Sequence, residues 1–289
     1  VEASVLFELT HNLNNGHVFL PRDKLLLAAG QLIGCPPEAA EEALADLIAR
    51  GSIRTQQVAR VEACYLRNLY EAETFVAEKL ETMLSFRADR GRDVGPIIDA
   101  IQQEQHITYA PAQRRAVELA AQEGVLILTG GPGTGKTTSV RGIVAMLERM
   151  GLNILLLAPT GRAAKRLGEL CDREAQTIHR CLGMVWREET GELTFQKNEQ
   201  EPLDAEAVIV DEMSMVDLPL MAALLAALRP DCRLVLVGDP DQLPSVGPGN
   251  VFGDLIRSGR VETVALTEIF RQAQRSAIIR TAHAVNQGT

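Results

Sequence analysis

From residue 125 onward, short apolar runs alternate with amphipathic stretches. The runs "GVLILT", "NILLLA", "AVIVD", "RLVLVG" and "VETVALT" are almost continuously hydrophobic, the pattern of strands buried on both faces of a parallel sheet. Between them, "KTTSVRGIVAMLERM" and "GRAAKRLGEL" repeat apolar residues at helical spacing. Strand, loop and helix in repetition predict an α/β domain: a parallel sheet with helices on both faces. In such sheets ligands gather at the carboxyl ends of the strands, so chemistry is sought in the loop after each one.

Before about residue 105 the pattern is different. "PPEAAEEALADLIARGSI" has helix-opening prolines, early acids, apolar Ala43, Leu44, Leu47 and Ile48 at helical spacing, and Gly51 as a stop. It runs into "SIRTQQ" and "ARVEACYLRNLY", which read as two strands of a wing, and then into a helix, "YEAETFVAEKLETMLSF". Residues 1–105 are therefore expected to form a small, mainly helical, winged-helix-like domain, and residues 106–289 the α/β domain. Arg54 and Arg60 are the wing residues that could reach DNA; the alternative is a surface for a protein partner.

Composition narrows the field. Of 289 residues 46% are hydrophobic, ample for two cores. No apolar run approaches the ~18 residues of a membrane span, and the start, "VEASVLFELTHNLNNG", lacks the basic-then-apolar layout of a signal peptide. The first residue is not Met, so a fragment is expected. Cys35, Cys64, Cys171, Cys181 and Cys232 are odd in number and scattered, without a CxxC pair, which favours reduced thiols and a cytoplasmic location. The net charge of −9 argues against holding nucleic acid by bulk charge, so any polyanion site must be local. Residues 1–105 carry 10 basic and 16 acidic side chains, leaving a nearly balanced later segment.

The loop after the first apolar run is "GGPGTGKTT", which fits GxxxxGK[ST] at Gly130, Gly135, Lys136 and Thr137. Its glycines let successive N–H groups turn toward phosphate, and a following helix adds its positive end. Gly131, Pro132, Gly133, Thr134, Gly135, Lys136, Thr137 and Thr138 are the expected nucleotide-binding set, with Lys136 on the β and γ phosphates and Thr137 on Mg²⁺. In "VIVDEMSM", Asp211 is placed to hold the Mg²⁺ shell and Glu212 to orient or deprotonate the attacking water. "VGDPDQLPSV" sets Gln242 between Pro240 and Pro244 at another strand end, where an uncharged amide can sense the γ-phosphate.

Taken in order, "GGPGTGKTT", "LAPTGRAAKRL", "VIVDEMSM", "VGDPDQLPSV" and "LTEIFRQ" resemble the motifs of superfamily 1 DNA helicases, most closely the RecD-like branch that moves 5′ to 3′. The resemblance covers roughly residues 106–289 and implies a RecA-like fold with ATP and Mg²⁺ as ligands. It implies that Gln113 in "YAPAQRRAV" reads adenine and that Arg271 in "LTEIFRQ" stabilises transition-state charge. Thr160, Gly161 and Arg162, and further on Thr177 and His179 in "QTIHRCL", are implied contacts to single-stranded DNA. Residues 182–198 read as a β-hairpin, "MVWRE" and "ELTFQ" about Thr190-Gly191, and in this family a small insertion here is a strand-separating pin. Trp186 could meet a base pair or pack at the hairpin root; the root is the expectation.

These motors use two RecA-like domains, and the sequence ends at Thr289, soon after Arg271. The second motor domain is therefore expected to lie outside this chain, leaving a fragment that does not unwind DNA alone. The expected function is an ATP-dependent 5′–3′ DNA helicase for repair or recombination, acting on single strands and junctions. An RNA-directed superfamily 1 motor and a non-catalytic ATP-sensing interaction module are the alternatives.

Overall fold

The computed structural model describes residues 1–86, 93–187 and 192–268. They fold into two compact units, one comprising Val1–Glu78, Val216–Ala222 and Pro244–Val251, the other the rest of the described chain. The units part at Glu78, whereas the change in sequence character lies near residue 105.

The first unit runs α1 (Glu2–Leu13), β1 (Phe19–Pro21), α2 (Arg22–Ile33), α3 (Pro37–Ala49), β2 (Ile53–Val58) and β3 (Val61–Leu66), followed by the start of α4 (Arg67–Ser85). α3 begins where its prolines predict and buries Ala40, Ala43, Leu44 and Leu47. The wing is β2 and β3, paired antiparallel from Ile53↔Leu66 to Val58↔Val61. Its tight turn puts Ala59 at φ 51. β1 completes a three-stranded sheet of order β1-β3-β2. Three helices and a winged sheet enclose Val5, Leu9, Leu25, Leu44, Leu47, Ile53 and Cys64. Two later segments join this unit through backbone: the Gly249 N–H donates to the Gly16 carbonyl at 3.0 Å and that of Leu218 to Pro248 at 2.9 Å.

The second unit adds α5 (Gly95–Gln105), α6 (Pro111–Gln122), β4 (Val125–Gly130), α7 (Lys136–Arg149), β5 (Ile154–Ala158), α8 (Gly161–Cys171), β6 (Ala175–Thr177) and α9 (Ile178–Cys181). β7 (Met184–Arg187), β8 (Glu192–Phe195), β9 (Ala207–Val210), α10 (Leu218–Ala226), β10 (Arg233–Gly238), α11 (Val251–Ser258) and β11 (Glu262–Leu266) follow in sequence, α10 and α11 straddling the two units. All five apolar runs are strands of one six-stranded sheet of order β11-β4-β10-β9-β5-β6. Every pairing in it is parallel. All residues of β9 and β10 are buried, as strands covered on both faces must be.

Chain order and sheet order diverge after β4, because β10 and β9 lie between it and β5. That divergence opens a crevice at the carboxyl ends. The register levels those ends: Thr129 pairs with Gly238 and Leu236 with Val210.

Below the crevice the core packs α5, α6 and α7 against the sheet, with Ile98, Ile101, Tyr109, Val117, Leu128 and Ile143 all buried. Gly142 on α7 is where the Tyr109 ring lies against the helix. A β-carbon there would collide with the Tyr109 hydroxyl and sit 2.9 Å from Val117 Cγ2. Gly142→Ala gains ~1 kcal/mol of helix propensity but overpacks a filled site, costing ~1–3 kcal/mol. The net expectation is a lower melting temperature. Tyr109 Oη is buried with no hydrogen-bond partner among the described residues, so Tyr109→Phe should be nearly neutral and should reduce the cost of Gly142→Ala. Equal costs in both backgrounds would show that the ring is not the obstacle.

Candidate active site

The loop joining β4 to α7 curls as its glycines predict. Gly133 and Gly135 have φ of 78 and 85, and Gly135 is the N-cap of α7, so the loop's N–H groups and the helix N-terminus face one space. Thr134 is buried and its Oγ1 donates to the Gly131 carbonyl at 2.8 Å. Lys136 Nζ donates to the carbonyls of Gly130 and Gly131. Burial lowers the Lys136 pKa, opposed by the negative charge of Asp239, Asp211 and Glu212.

Opposite the loop, Asp211 follows β9 directly. Its N–H donates to the Leu157 carbonyl on β5 at 2.9 Å, which fixes the strand tip, and its Oδ1 accepts from the Glu212 N–H at 2.9 Å. Burial raises the Asp211 pKa, and burial together with the Asp211 charge raises that of Glu212. Glu212 has φ 57, the left-handed region that costs a non-glycine residue about 1–3 kcal/mol. Both residues line the same cleft.

Gln242 comes from the loop after β10. Buried Asp239 builds that loop: its carboxylate accepts from the Asp241 N–H at 3.1 Å, and its carbonyl from the Gln242 N–H at 3.2 Å. Residues 131–138, Asp211, Glu212 and Gln242 thus line one cleft of about 890 Å³, together with Arg166, Leu167, Leu170 and Cys171 of α8. The volume suits a nucleotide-sized ligand. Thr137 and Asp211 offer hard oxygen donors there, a set suited to Mg²⁺, which keeps several waters and takes few protein ligands. No cluster of three His, Cys, Asp or Glu able to cage a metal occurs among the described residues.

Gln113 lies in the first turn of α6, next to the phosphate loop. It is 3% exposed; its Oε1 accepts from the Ala110 N–H at 3.0 Å and its Nε2 donates to the Gly135 carbonyl at 3.3 Å. Both ends of the amide are bonded to backbone, tying the start of α6 to the phosphate loop. Beside it, Gln113, Thr134 and Leu266 line a separate small pocket of about 40 Å³.

The expected DNA residues sit at the ends of β5 and β6, adjacent parallel strands with Ala158 paired to Thr177. Both threonines cap helices: Thr160 Oγ1 accepts from the Ala163 N–H and Thr177 Oγ1 from the Arg180 N–H, each at 3.2 Å. Gly161 and Arg162 are exposed. His179 is half-buried, its ring 6.1 Å from that of Phe195. The hairpin is present as β7 and β8, with Trp186 paired to Leu193. Trp186 is 58% exposed and does not pack at the root, which is formed by Met184 opposite Phe195. Arg271, Thr190 and Gly191 lie outside the described residues.

The sequence reading missed Arg166, Cys171 and the supporting Asp239. The first two share a helix face with Leu167 and Leu170, and that spacing was the available signal.

A parallel sheet of this order, with a phosphate loop after β4 and paired carboxylates after β9, defines a RecA-like P-loop nucleotide-binding domain. The AAA domain family matches residues 113–248. The chain is 34% identical over 282 residues to the ATP-dependent RecD2 DNA helicase of Deinococcus radiodurans, covering 94% of this chain and 38% of that protein. It is 43% identical over 186 residues to the RecBCD enzyme subunit RecD of Mycobacterium tuberculosis, covering 56% of this chain and 32% of the relative. These two matches make the chain similar to RecD proteins over the segments they cover, and it spans well under half the length of either relative. Among solved structures, the Pif1 helicase from Candida albicans aligns with a TM-score of 0.47 at 24% identity, over 62% of this chain and 44% of that one.

Proposed function

We propose that the chain is the N-terminal and first motor portion of an ATP-driven DNA helicase that moves 5′ to 3′ on single strands and opens junctions in repair or recombination. The observation that carries this reading is the convergence of Lys136, Thr137, Asp211, Glu212 and Gln242 on one cleft at the carboxyl ends of adjacent strands. A triphosphate in that cleft is met by the loop N–H groups and the α7 N-terminus, and Lys136 Nζ exchanges its carbonyl partners for phosphate oxygens. Thr137 and Asp211 would hold Mg²⁺, which when bound would supply positive charge against the phosphates. Glu212 takes the proton of the attacking water, and Gln242 loses a partner when the γ-phosphate leaves.

The names of the relatives support DNA as the track. Gly161 and Arg162, exposed at the start of α8, are its candidate contacts, and the α8 N-terminus is a ready phosphate site. The first unit is the candidate surface for a protein partner. No helix among the described residues is long and apolar enough to cross a membrane. The cytoplasmic location is part of the proposal.

The deciding test compares ATP turnover of the full-length protein with single-stranded DNA, with RNA of the same sequence, and with neither. DNA alone should stimulate. Stimulation by RNA instead would transfer the reading to an RNA motor, and the absence of hydrolysis under all three conditions would leave an ATP-sensing module. Duplexes with a 5′ or a 3′ tail then report polarity.

A further inference from the structure

The cleft holds a cation that no motif assigned. Helix α8 starts at the Thr160 cap and presents Arg166, Leu167, Leu170 and Cys171 as one stripe along the cleft wall. Leu167 anchors that stripe in the core, at 2% exposure. Arg166 is its only charged member. The neighbouring Lys165 points elsewhere, 80% exposed and 3.9 Å from Glu169. Arg166, also exposed, lines the cleft and makes no ion pair among the described residues, so its guanidinium is uncommitted. Arg166 lines the same cleft as Lys136, Asp211 and Glu212, and its charge acts on all three as a minor influence beside burial.

Topology says which end of the nucleotide it serves. Across the sheet the order is β11, β4, β10, β9, β5. Gln113 and its small pocket lie with Leu266 at the β11 side, whereas α8 follows β5, beyond the strand that carries Asp211 and Glu212. A cation from α8 therefore approaches from the carboxylate side, where the terminal phosphate and the attacking water lie in the proposed mechanism.

We propose that Arg166 is a nucleotide-contacting residue, donating to the terminal phosphate of bound ATP from the carboxylate side of the cleft. The inference rests on the ATP-binding reading above and assigns it a specific discriminator between triphosphate and diphosphate. It also makes α8 a single rigid link, with its N-terminus at the candidate DNA contact and Arg166 at the nucleotide.

The test measures affinity of the full-length protein for a non-hydrolysable ATP analogue and for ADP, by calorimetry, in wild type, Arg166→Gln, Arg166→Lys and the control Lys165→Gln. Loss of a charge-assisted bond to phosphate should weaken the analogue ~10–100-fold and leave ADP nearly unchanged. Lys should recover part of the loss, and Lys165→Gln should match wild type. Melting temperatures check that the variants fold. Equal weakening of both nucleotides, or no weakening of either, would overturn the role of Arg166 while leaving the ATP reading intact. Failure of the wild type to bind either nucleotide would sink both.

Discussion

Glu212→Gln should slow ATP hydrolysis by ~10²–10⁴-fold, the usual contribution of a positioned general base, while nucleotide still binds. The separation follows from the geometry. Binding is assigned to the loop N–H groups, Lys136 and the hydroxyl and carboxylate of Thr137 and Asp211, none of which the substitution touches. Gln has the shape of Glu and can keep the left-handed turn at φ 57, including the Glu212 N–H bond to Asp211 Oδ1. What it cannot do is accept the proton of the attacking water. Single-turnover hydrolysis alongside binding of a non-hydrolysable analogue reads the two effects apart. Hydrolysis at the wild-type rate would remove Glu212 as the base. Lost binding would mean that the carboxylate holds the metal or the loop.

The site was legible in the sequence because its parts are local. A phosphate loop, a carboxylate pair and a glutamine between prolines each occupy one turn after one strand, and a parallel sheet brings such turns together without further information. Arg166 was not legible in that way. In "GRAAKRLGEL" it looks like another solvated cation, and it is exposed; only the fold shows that it lines the cleft next to core-anchored Leu167. The amide of Gln113 also joins the start of α6 to Gly135, a tie that its motif position did not announce. Among the elements, the five sheet strands, α3, the wing and α4 all announced themselves. Helices α1 and α2 did not, although Val5 and Leu9 on α1 and Leu25 and Ala29 on α2 follow helical spacing. Val1 and Pro21 occupy the N-cap positions and neither helix has a side-chain cap, so the usual start signals are missing. Recruitment of residues 216–222 and 244–251 into the first unit depends on backbone contacts distant in sequence, such as Gly249 to Gly16, which no local pattern encodes.

In the full-length protein, on the helicase reading proposed above, shortening the β7–β8 hairpin should abolish unwinding of forked DNA and leave DNA-stimulated ATP hydrolysis unchanged. The hairpin is costly as a purely structural feature. It is a two-stranded ribbon, separate from the six-stranded sheet, and it leaves Met184, Val185 and Trp186 substantially exposed. Isolated two-stranded hairpins are marginal in water, and exposed apolar clusters mark surfaces that meet something. A base pair at a fork is such a surface, because stacking on an aromatic ring contributes ~1–3 kcal/mol per base. The root permits a clean deletion. Gln196 N–H donates to the Gly183 carbonyl at 3.1 Å and Lys197 N–H to that of Leu182 at 3.0 Å, so the ends are already held together. Replacing Val185–Thr194 with two glycines keeps the Met184–Phe195 pair and the contact of Phe195 with His179. Among the described residues none of the hairpin lines the nucleotide cleft, so the motor cycle should survive. Retained unwinding would reject the pin, whereas loss of both activities would place the hairpin in the DNA track. Trp186→Ala separates the remaining possibilities: weakened unwinding assigns the contact to the indole, and full unwinding assigns it to the ribbon as a steric wedge.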